Sequence, residues 1–253
     1  MPEALEAPQR LFILGVGIHN VTEEEAVALV ERFIQEGGPH QVVTVNPEFV
    51  MEARRNASFR QVLNEADLAV PDGVGILWAG RLLGRPFRGR VPGVELTLRL
   101  AERAAERGYR LFLLGAAPGV AEEAAGRLRE KYPNLTIAGT YAGSPDPAEE
   151  EEIGRRVRAA APHILLVAYG APRQDLWLKR NLPRLGVAVG IGVGGTLDYI
   201  SGRVRRAPPW MRRYGLEWLY RLLRQPRRWR RMLALPAFAL LVLVQAAGQV
   251  LRR

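Results

Sequence analysis

The stretch Thr44-Val45-Asn46-Pro47-Glu48-Phe49 joins an apolar run, residues 41–45, to a segment typical of a helix. The same transition recurs at Pro71-Asp72-Gly73-Val74-Gly75, directly after the apolar residues 68–70. Strands that are covered on both faces are apolar throughout, and Pro47 stands where the first turn of a helix tolerates proline. We therefore predict two buried strands that each lead into a helix.

Three small polar residues, Thr44, Asn46 and Asp72, stand at the ends of these two strands. In open α/β sheets the carboxyl ends of the strands face the ligand crevice, which makes all three candidate site residues. Pro71 and Gly73 bracket Asp72 and favour a tight turn that fixes its direction. The alternative is that Asn46 and Asp72 are only helix N-caps, a position that both residue types favour.

The alternation of apolar runs and helical patterns continues through the chain. Apolar runs occupy residues 11–15, 110–114, 135–139, 164–168 and 187–191. With the two strands above, they predict about seven or eight strands in a mostly parallel sheet with helices on both faces. The predicted fold class is therefore α/β, and the pattern leaves open whether the strands form one sheet or two half-sheets.

Glycine-dense turns follow two of the later strands and are candidate ligand loops. The turn from Gly115 to Gly119 opens a helix, where free N–H groups bind phosphate, but it is neither Gly-x-Gly-x-x-Gly nor a P-loop. Gly194 lies in a second such turn, and Gln174 lies in the turn after residues 164–168. Each has a structural alternative: a turn without a ligand, close packing of two elements, or an ordinary helix start.

The composition excludes several kinds of site. The chain has no cysteine, which excludes disulfides, thiolate chemistry and Cys-ligated metals. The three histidines are scattered and no Asp-x-Asp pair occurs, so we expect no metal and no cofactor. The acidic, polar N-terminus does not resemble a signal peptide, and this predicts a protein of the cytoplasm or of the cytoplasmic membrane face.

The positive charge is concentrated in the last fifth of the chain. Residues 201–253 contain thirteen arginines and a single acid, Glu217, a net charge of +12, whereas residues 1–200 carry 23 basic and 25 acidic side chains. Such a tail suits an anionic partner: a membrane surface, a diphosphate or RNA. The nearly neutral body lacks the scattered basic and aromatic residues of an RNA-binding protein, and we therefore expect no nucleic-acid partner.

The end of the tail predicts two helical segments. Residues 210–223 have apolar side chains at helical spacing, and residues 232–251 contain no formal charge. The second segment is long enough for a membrane span, although Pro236, Gln245 and Gly248 weaken that interpretation. The alternatives are an interfacial helix beside anionic lipids and a helix buried in a homo-oligomer.

Six motifs occur in an order and spacing that resemble the WecG/TagA/CpsF family of bacterial glycosyltransferases. They are Thr44-Val45-Asn46-Pro47-Glu48, Pro71-Asp72-Gly73-Val74-Gly75, Gly115-Ala116-Ala117-Pro118-Gly119-Val120, Gly170-Ala171-Pro172-Arg173-Gln174-Asp175, Gly192-Val193-Gly194-Gly195, and the stretch from Arg206-Ala207-Pro208 to Gly215-Leu216-Glu217-Trp218-Leu219-Tyr220-Arg221-Leu222. The resemblance covers about residues 11–231. It implies a Rossmann-like catalytic core over residues 1–200 and a basic helical appendage over residues 201–231 that completes the site. Residues 232–253 would form an apolar membrane-associating helix.

The same resemblance implies inverting transfer of an N-acetylmannosamine-type sugar. The donor would be a UDP-sugar, and the acceptor a polyprenyl-diphosphate-linked N-acetylglucosamine on the cytoplasmic membrane face. The products would enter cell-surface polysaccharides or teichoic acids. The alternative from another class is a non-enzymatic nucleotide-binding or scaffold protein of envelope assembly, anchored by the same tail.

The resemblance also implies roles for individual residues. Asp72 matches the proposed general base and Thr44 a residue beside it on the acceptor side. The arginines thought to close over the donor diphosphate are matched by Arg221, Arg228 and Arg231. Asn46 and Gln174 fall at site positions, and with Gly115, Gly119 and Gly194 of the glycine turns they complete the candidate substrate-binding set.

Overall fold

The computed structural model of the chain describes residues 8–224, 226 and 229–250, without the side chains of residues 230, 231 and 250. Its strands are β1 Arg10–Ile13, β2 Val16–His19, β3 His40–Val45, β4 Leu68–Pro71, β5 Arg110–Gly115, β6 Thr136–Tyr141, β7 Ile164–Ala168 and β8 Val189–Gly192. Six of them form one continuous parallel sheet in the order β4-β3-β8-β7-β5-β6. The predicted α/β class is confirmed, and the question of one sheet or two is answered as one.

The first two strands lie outside this sheet, as an antiparallel hairpin. The predicted first strand exists as β1, but it ends at Ile13 and is not part of the parallel sheet, because Leu14 and Gly15 have positive φ values of 48° and 85° and reverse the chain. His19 attaches the hairpin to β4: its Nδ1 accepts a hydrogen bond of 2.8 Å from the Ala69 N–H. Burial is the main factor that lowers the pKa of His19 to about 4, so this imidazole is neutral and structural.

The helices are α1 Glu23–Glu36, α2 Pro47–Ala53, α3 Ala57–Glu65, α4 Val74–Leu82, α5 Gly93–Arg107, α6 Val120–Lys131, α7 Glu150–Ala160, α8 Arg173–Asn181, α9 Thr196–Ile200, α10 Pro209–Arg213, α11 Glu217–Arg224, α12 Trp229–Met232 and α13 Ala234–Val250. Short 3₁₀ turns occupy Pro147–Glu149 and Leu182–Arg184. One face of the sheet packs against α1, α5, α6 and α9, and the other packs against α2, α3, α4, α7, α8 and α13. Both faces of the sheet are therefore covered, as the apolar strands require.

The local sequence explains where several helices begin and end. Thr22 forms a capping box with Glu25, in which each side chain bonds the other residue's backbone N–H, at the start of α1. Gly108 ends α5 in the left-handed conformation with φ at 73°. Threonine and glycine are the residue types that favour these two positions. Gly108 ends α5, whose first turn lies at the candidate site.

The first part of the basic tail forms two short helices where its sequence predicts one. Residues 210–223 form two helices, α10 and α11, because Gly215 has a φ of 72° and the Leu216 N–H donates to the Met211 carbonyl across the break. The prediction of one helix there was wrong.

The apolar segment of the tail forms α13, which packs against α2 and α4 and buries Phe238 and Val242 in the core. None of the helices in residues 8–224, 226 and 229–250 is long and apolar enough to cross a membrane. The boundaries predicted at residues 200 and 231 stay predictions.

Candidate active site

Most of the candidate residues lie along one edge of the sheet, at the carboxyl ends of neighbouring strands. The residues, in the spatial order of the strands, are Asp72 after β4, Thr44 on β3, Gly194 after β8, Gln174 after β7 and Gly115 at the end of β5. This is the edge where open α/β sheets bind ligands. The fold therefore brings together residues that are up to 150 positions apart in the chain.

Asp72 is held in place by backbone contacts on both sides. Its N–H donates a hydrogen bond of 2.8 Å to the Val45 carbonyl, and the Val91 N–H donates one of the same length to the Pro71 carbonyl. The second bond brings the loop before α5 alongside Asp72. The N-cap of α4 is Gly73, which makes no side-chain capping bond. The N-cap alternative for Asp72 is therefore wrong.

The surroundings of Asp72 give it the pKa of a useful base. The pKa of Asp72 is raised to about 7, mainly by burial and in addition by the carboxylate of Glu217. Arg221, Arg90 and the Gly93 N–H act in the opposite direction and lower it. The residue nevertheless keeps partial access to solvent. A carboxyl group with this pKa accepts a proton more readily near neutral pH than an ordinary aspartate does.

Two buried threonines lie beside Asp72 at the start of α5. Thr44 is only 6% exposed and Thr196 only 3%. A Cβ atom built on Gly93 would lie 3.6 Å from the Thr44 Oγ1 and 3.7 Å from the Thr196 Oγ1. Gly93 thus allows two hydroxyl groups to approach a helix N-terminus whose N–H also bonds Asp72. The predicted proximity of Thr44 and Asp72 is consistent with this arrangement.

The tail contributes an arginine cluster to the same place. The guanidinium carbon of Arg221 lies 4.9 Å from the centre of the Tyr199 ring, and that of Arg206 lies 5.9 Å from it. Glu95 accepts hydrogen bonds of 2.8 and 3.1 Å from Arg206 and a longer one from Arg212. The buried Nε of Arg221 makes no hydrogen bond with any described residue. One buried donor of Arg221 thus has no partner among the described residues.

Asn46 has a structural role that its sequence context predicted as the alternative. Its Oδ1 accepts a hydrogen bond of 3.0 Å from the Phe49 N–H and caps α2. A Cβ atom on Gly73 would lie 3.9 Å from the Asn46 Cβ, so the cap stands next to the Asp72 turn. The cap interpretation is confirmed, and a ligand role for Asn46 stays a prediction.

The side chain of Gln174 connects the turn after β7 with the turn after β8 by hydrogen bonds. It is 1% exposed, and its Oε1 accepts hydrogen bonds from the Gly170 N–H at 3.0 Å and the Gly194 N–H at 2.9 Å. Gly194 has a φ of 52°, which places its N–H at this acceptor. The side-chain oxygen of Gln174 is therefore engaged in holding the edge of the sheet, whereas a substrate contact stays a prediction.

The first glycine turn is closely packed. Gly115 has a φ of 99°, and a Cβ atom there would lie 2.9 Å from the Ala168 carbonyl carbon. A Cβ atom on Gly119 would lie 2.8 Å from the Arg203 Nη2. Arg203 also forms an ion pair of 2.7 Å with Glu123. Close packing against the backbone thus accounts for glycine at position 115, and the positive φ of 82° accounts for glycine at position 119. Binding of a phosphate there stays a prediction.

Two of the predicted arginines cannot be placed at the site. Arg228 lies outside the described residues, and for Arg231 the structure describes only the backbone, within α12. Conversely, the structure adds residues that the sequence did not suggest: Arg90, Thr196, Tyr199, Glu217 and Glu95. The sequence signals were the loop over residues 84–93, which is rich in glycine, proline and arginine and leads into α5, and the motif of the tail that contains Glu217.

The described side chains contain no group of three or more His, Asp or Glu residues placed to hold a metal ion. A cavity of about 450 Å³ lies between α5, α6 and α9, and Tyr199 and Arg206 are among the residues that line it. These two residues also belong to the arginine cluster, so the cavity adjoins the appendage side of the site.

Comparison with known proteins agrees with this geometry. The family model described as "Glycosyl transferase WecG/TagA/CpsF family" matches residues 11–251. The chain belongs to this family of glycosyltransferases. The match extends beyond residue 231, where the sequence motifs end, and it includes α13. The non-enzymatic alternative receives no support from it.

Three similar curated proteins carry the same name, N-acetylglucosaminyldiphosphoundecaprenol N-acetyl-beta-D-mannosaminyltransferase. The protein from Bacillus spizizenii strain W23 is 37% identical over 202 residues, which are 80% of this chain and 78% of the relative. The one from Bacillus subtilis strain 168 is 35% identical over the same shares. The one from Staphylococcus aureus strain MW2 is 32% identical over 231 residues, 90% of each chain.

Proposed function

We propose that this member of the glycosyltransferase family transfers N-acetylmannosamine from its UDP-sugar to a polyprenyl-diphosphate-linked N-acetylglucosamine, with inversion. The names of its relatives support the sugar and the acceptor. The observation that carries the proposal is the Asp72 carboxyl, whose pKa is about 7 and which lies beside two arginines. A base and two cations at one point are what displacement of a diphosphate by a hydroxyl group requires.

In the reaction, Asp72 accepts the proton of the acceptor hydroxyl. The oxygen attacks the anomeric carbon of the donor sugar as the bond to the diphosphate oxygen breaks, and UDP leaves with the electron pair of that bond. Attack from the face opposite to the leaving group inverts the anomeric configuration. Thr44 lies on the acceptor side of the Asp72 carboxyl, where its hydroxyl orients the incoming group.

Arg221 and Arg90 neutralise the charge that develops on the departing diphosphate. Guanidinium groups bind phosphate oxygens bidentately and stay charged, and this is the basis for proposing transfer without a metal ion. Arg228 and Arg231 would add to this charge from the tail. Asn46, Gln174, Gly115, Gly119 and Gly194 would shape the donor side of the crevice through their backbone contacts.

The appendage has the surface of a protein that associates peripherally with a membrane. Trp210, Tyr214, Trp218 and Trp229 are exposed on it, among arginines. Aromatic rings of this kind favour the interface between lipid and water, and arginines are attracted to anionic lipids. We propose that this surface contacts the cytoplasmic face of the cell membrane, where the lipid-linked acceptor is available.

The proposal is tested by release of UDP from UDP-N-acetylmannosamine in the presence of a polyprenyl-diphosphate-N-acetylglucosamine analogue. We expect release that resists EDTA in the wild type and is lost in Asp72→Asn. If EDTA abolished UDP release in the wild type and added Mg²⁺ restored it, only the proposal of metal independence would be refuted. If the wild type released no UDP from UDP-N-acetylmannosamine but did release it from another UDP-sugar, the proposed donor sugar would be wrong. Flotation with anionic and neutral vesicles tests the membrane contact separately.

A further inference from the structure

Helix α4 is apolar on its outward face as well as on its inward face. Ile76 and Ala79 are fully buried in the core. On the other side Val74, Trp78 and Leu82 are 38%, 39% and 38% exposed. Their spacing of four residues places them on one side of the helix, with Arg81 beside them. A surface helix normally turns polar residues outward, so this outward stripe, Val74, Trp78 and Leu82, is a surface to be covered.

The stripe begins at the active site. Val74 is two residues beyond Asp72. The turn between α10 and α11 lies directly on it, because a Cβ atom on Gly215 would lie 2.8 Å from the Val74 side chain. The same turn leads into α11, which carries Glu217 and Arg221 to Asp72. From Val74 to Leu82 the stripe runs for about 12 Å away from the base, given a rise of 1.5 Å per residue.

The far end of the stripe reaches the apolar side of the molecule. Helix α13 packs against α4, and Gly80, Leu83 and Gln245 line a small cavity that is closed on a third side by β1. Leu240, Leu243 and Val244 of α13 are exposed. An apolar path therefore leads from the charged site along α4 to a second apolar helix surface.

We propose that the outward stripe of α4 is the subsite for the isoprenoid chain of the lipid-linked acceptor. The inference rests on the proposed function and adds to it. The acceptor joins an anionic diphosphate to a hydrocarbon chain, and the structure places cations at one end of α4 and apolar side chains along it. With the diphosphate at the arginines, the stripe is the apolar surface that continues from the site, and covering it with hydrocarbon is favourable.

The test compares two acceptors that differ only in the lipid: N-acetylglucosaminyl-diphosphate on a farnesyl chain and on a dimethylallyl chain. Both are used in solution without vesicles or detergent, so recruitment to a bilayer does not contribute. The variants are Trp78→Ser with Leu82→Ser, and Phe33→Ser as a control. Phe33 is a partly exposed apolar residue of α1, on the opposite face of the sheet from α4. Turnover and direct binding of each acceptor are measured for all proteins.

We expect the wild type to prefer the farnesyl acceptor, and the double variant to raise KM for it by about 10-fold, the scale of lost apolar contacts in a binding site. KM for the dimethylallyl acceptor, KM for the donor and the melting temperature should stay unchanged in the double variant, and Phe33→Ser should keep the KM values of the wild type. Equal KM values of the wild type for both acceptors would overturn the proposal. So would an equal rise for both in the double variant, or an effect confined to vesicle binding or self-association.

Failure of the proposed function would look different. Absence of turnover, with binding that still depends on chain length and on the stripe, would refute the transferase reaction and leave the subsite standing. Turnover that does not depend on chain length would refute the subsite and leave the reaction standing.

Discussion

Two carboxyl groups with raised pKa values lie at the same edge of the sheet, Asp72 after β4 and Asp175 in the first turn of α8. In both cases burial is the largest cause of a pKa raised to about 7. Around Asp72, Glu217, Arg221, Arg90 and a backbone N–H also act on the pKa. The other influences on the pKa of Asp175 are its own backbone and the Gln174 side chain.

The two groups also differ in access. Asp175 is 0% exposed and lies against Gly192, where a side chain would collide with its Oδ1. Asp72 keeps partial access to solvent and faces the appendage. A raised pKa alone therefore does not identify the base. Access and neighbouring cations separate a carboxyl that can meet a substrate from one that only fills the core.

The largest difference should appear in turnover. Asp72→Asn removes the proton acceptor, and we expect kcat/KM to fall by about 100- to 10,000-fold, the range for a positioned general base. Asp175→Asn should keep turnover within a few-fold of the wild type, because Asp175 does not reach the crevice. The fall in kcat/KM is measured as UDP release by both variants, and circular dichroism verifies that both are folded. Equal losses of kcat/KM in both variants, with both folded, would contradict the assignment of different roles to Asp72 and Asp175.

The second difference concerns stability. The folded pKa of Asp175 is about 7 and its ordinary value is 3.8, so the folded state holds the proton more tightly than the unfolded state. Stability should therefore fall as the pH rises from about 4 to about 7 and then level off.

Asp175→Asn removes this contribution and should stabilise the protein at alkaline pH by a few kcal/mol. Urea unfolding at about pH 5 and about pH 8 measures the change. A variant that keeps the full pH dependence of the wild type would contradict the assignment.

The third difference concerns the cations at Asp72. The rate should rise with pH as Asp72 loses its proton near its pKa of about 7. Arg221 lowers this pKa, so Arg221→Ala should move the midpoint of the pH–rate profile upward by about 1 pH unit. Arg203→Ala, a matched loss of an arginine that pairs with Glu123, should leave the midpoint in place. An unchanged midpoint in Arg221→Ala would place Arg221 too far from the base.

The smallest effect tests a residue beside the site that acts through the fold. Asn46→Ala should lower the free energy of unfolding by about 1 kcal/mol, the usual cost of losing an N-cap. Asn46→Ser retains a good capping group and should restore stability. If Asn46 also binds substrate, the serine variant will be stable and will still show a raised KM; if it is only a cap, both quantities return together.

The sequence predicted the parts of this molecule that depend on local pattern. Parallel strands are apolar runs, Thr22 and Gly108 are capping residues, and Asp72 stands between Pro71 and Gly73 after a strand. These features depend on neighbours within a few positions, which is why they could be read without a structure. The resemblance to a known family then supplied the chemistry.

The missed residues depend on long-range approach. Arg90 reaches Asp72 because the Val91 N–H bonds the Pro71 carbonyl, and Glu217 arrives from the tail through the break at Gly215. No periodicity or spacing encodes either contact. The sequence also did not indicate the outward stripe of α4, because a short apolar segment after a strand is typical of a helix whose apolar residues are buried in the core.

The position of α13 has a consequence for the order in which the protein is made. This last helix covers core residues such as Val50 and Ile76, and its Gln245 accepts a hydrogen bond of 3.0 Å from the Leu14 N–H near the other end of the chain. On the ribosome, the sheet can assemble before α13 has been synthesised, and its partners are then exposed. A chain that lacks α13 would thus expose this apolar surface, so α13 itself protects the protein from self-association.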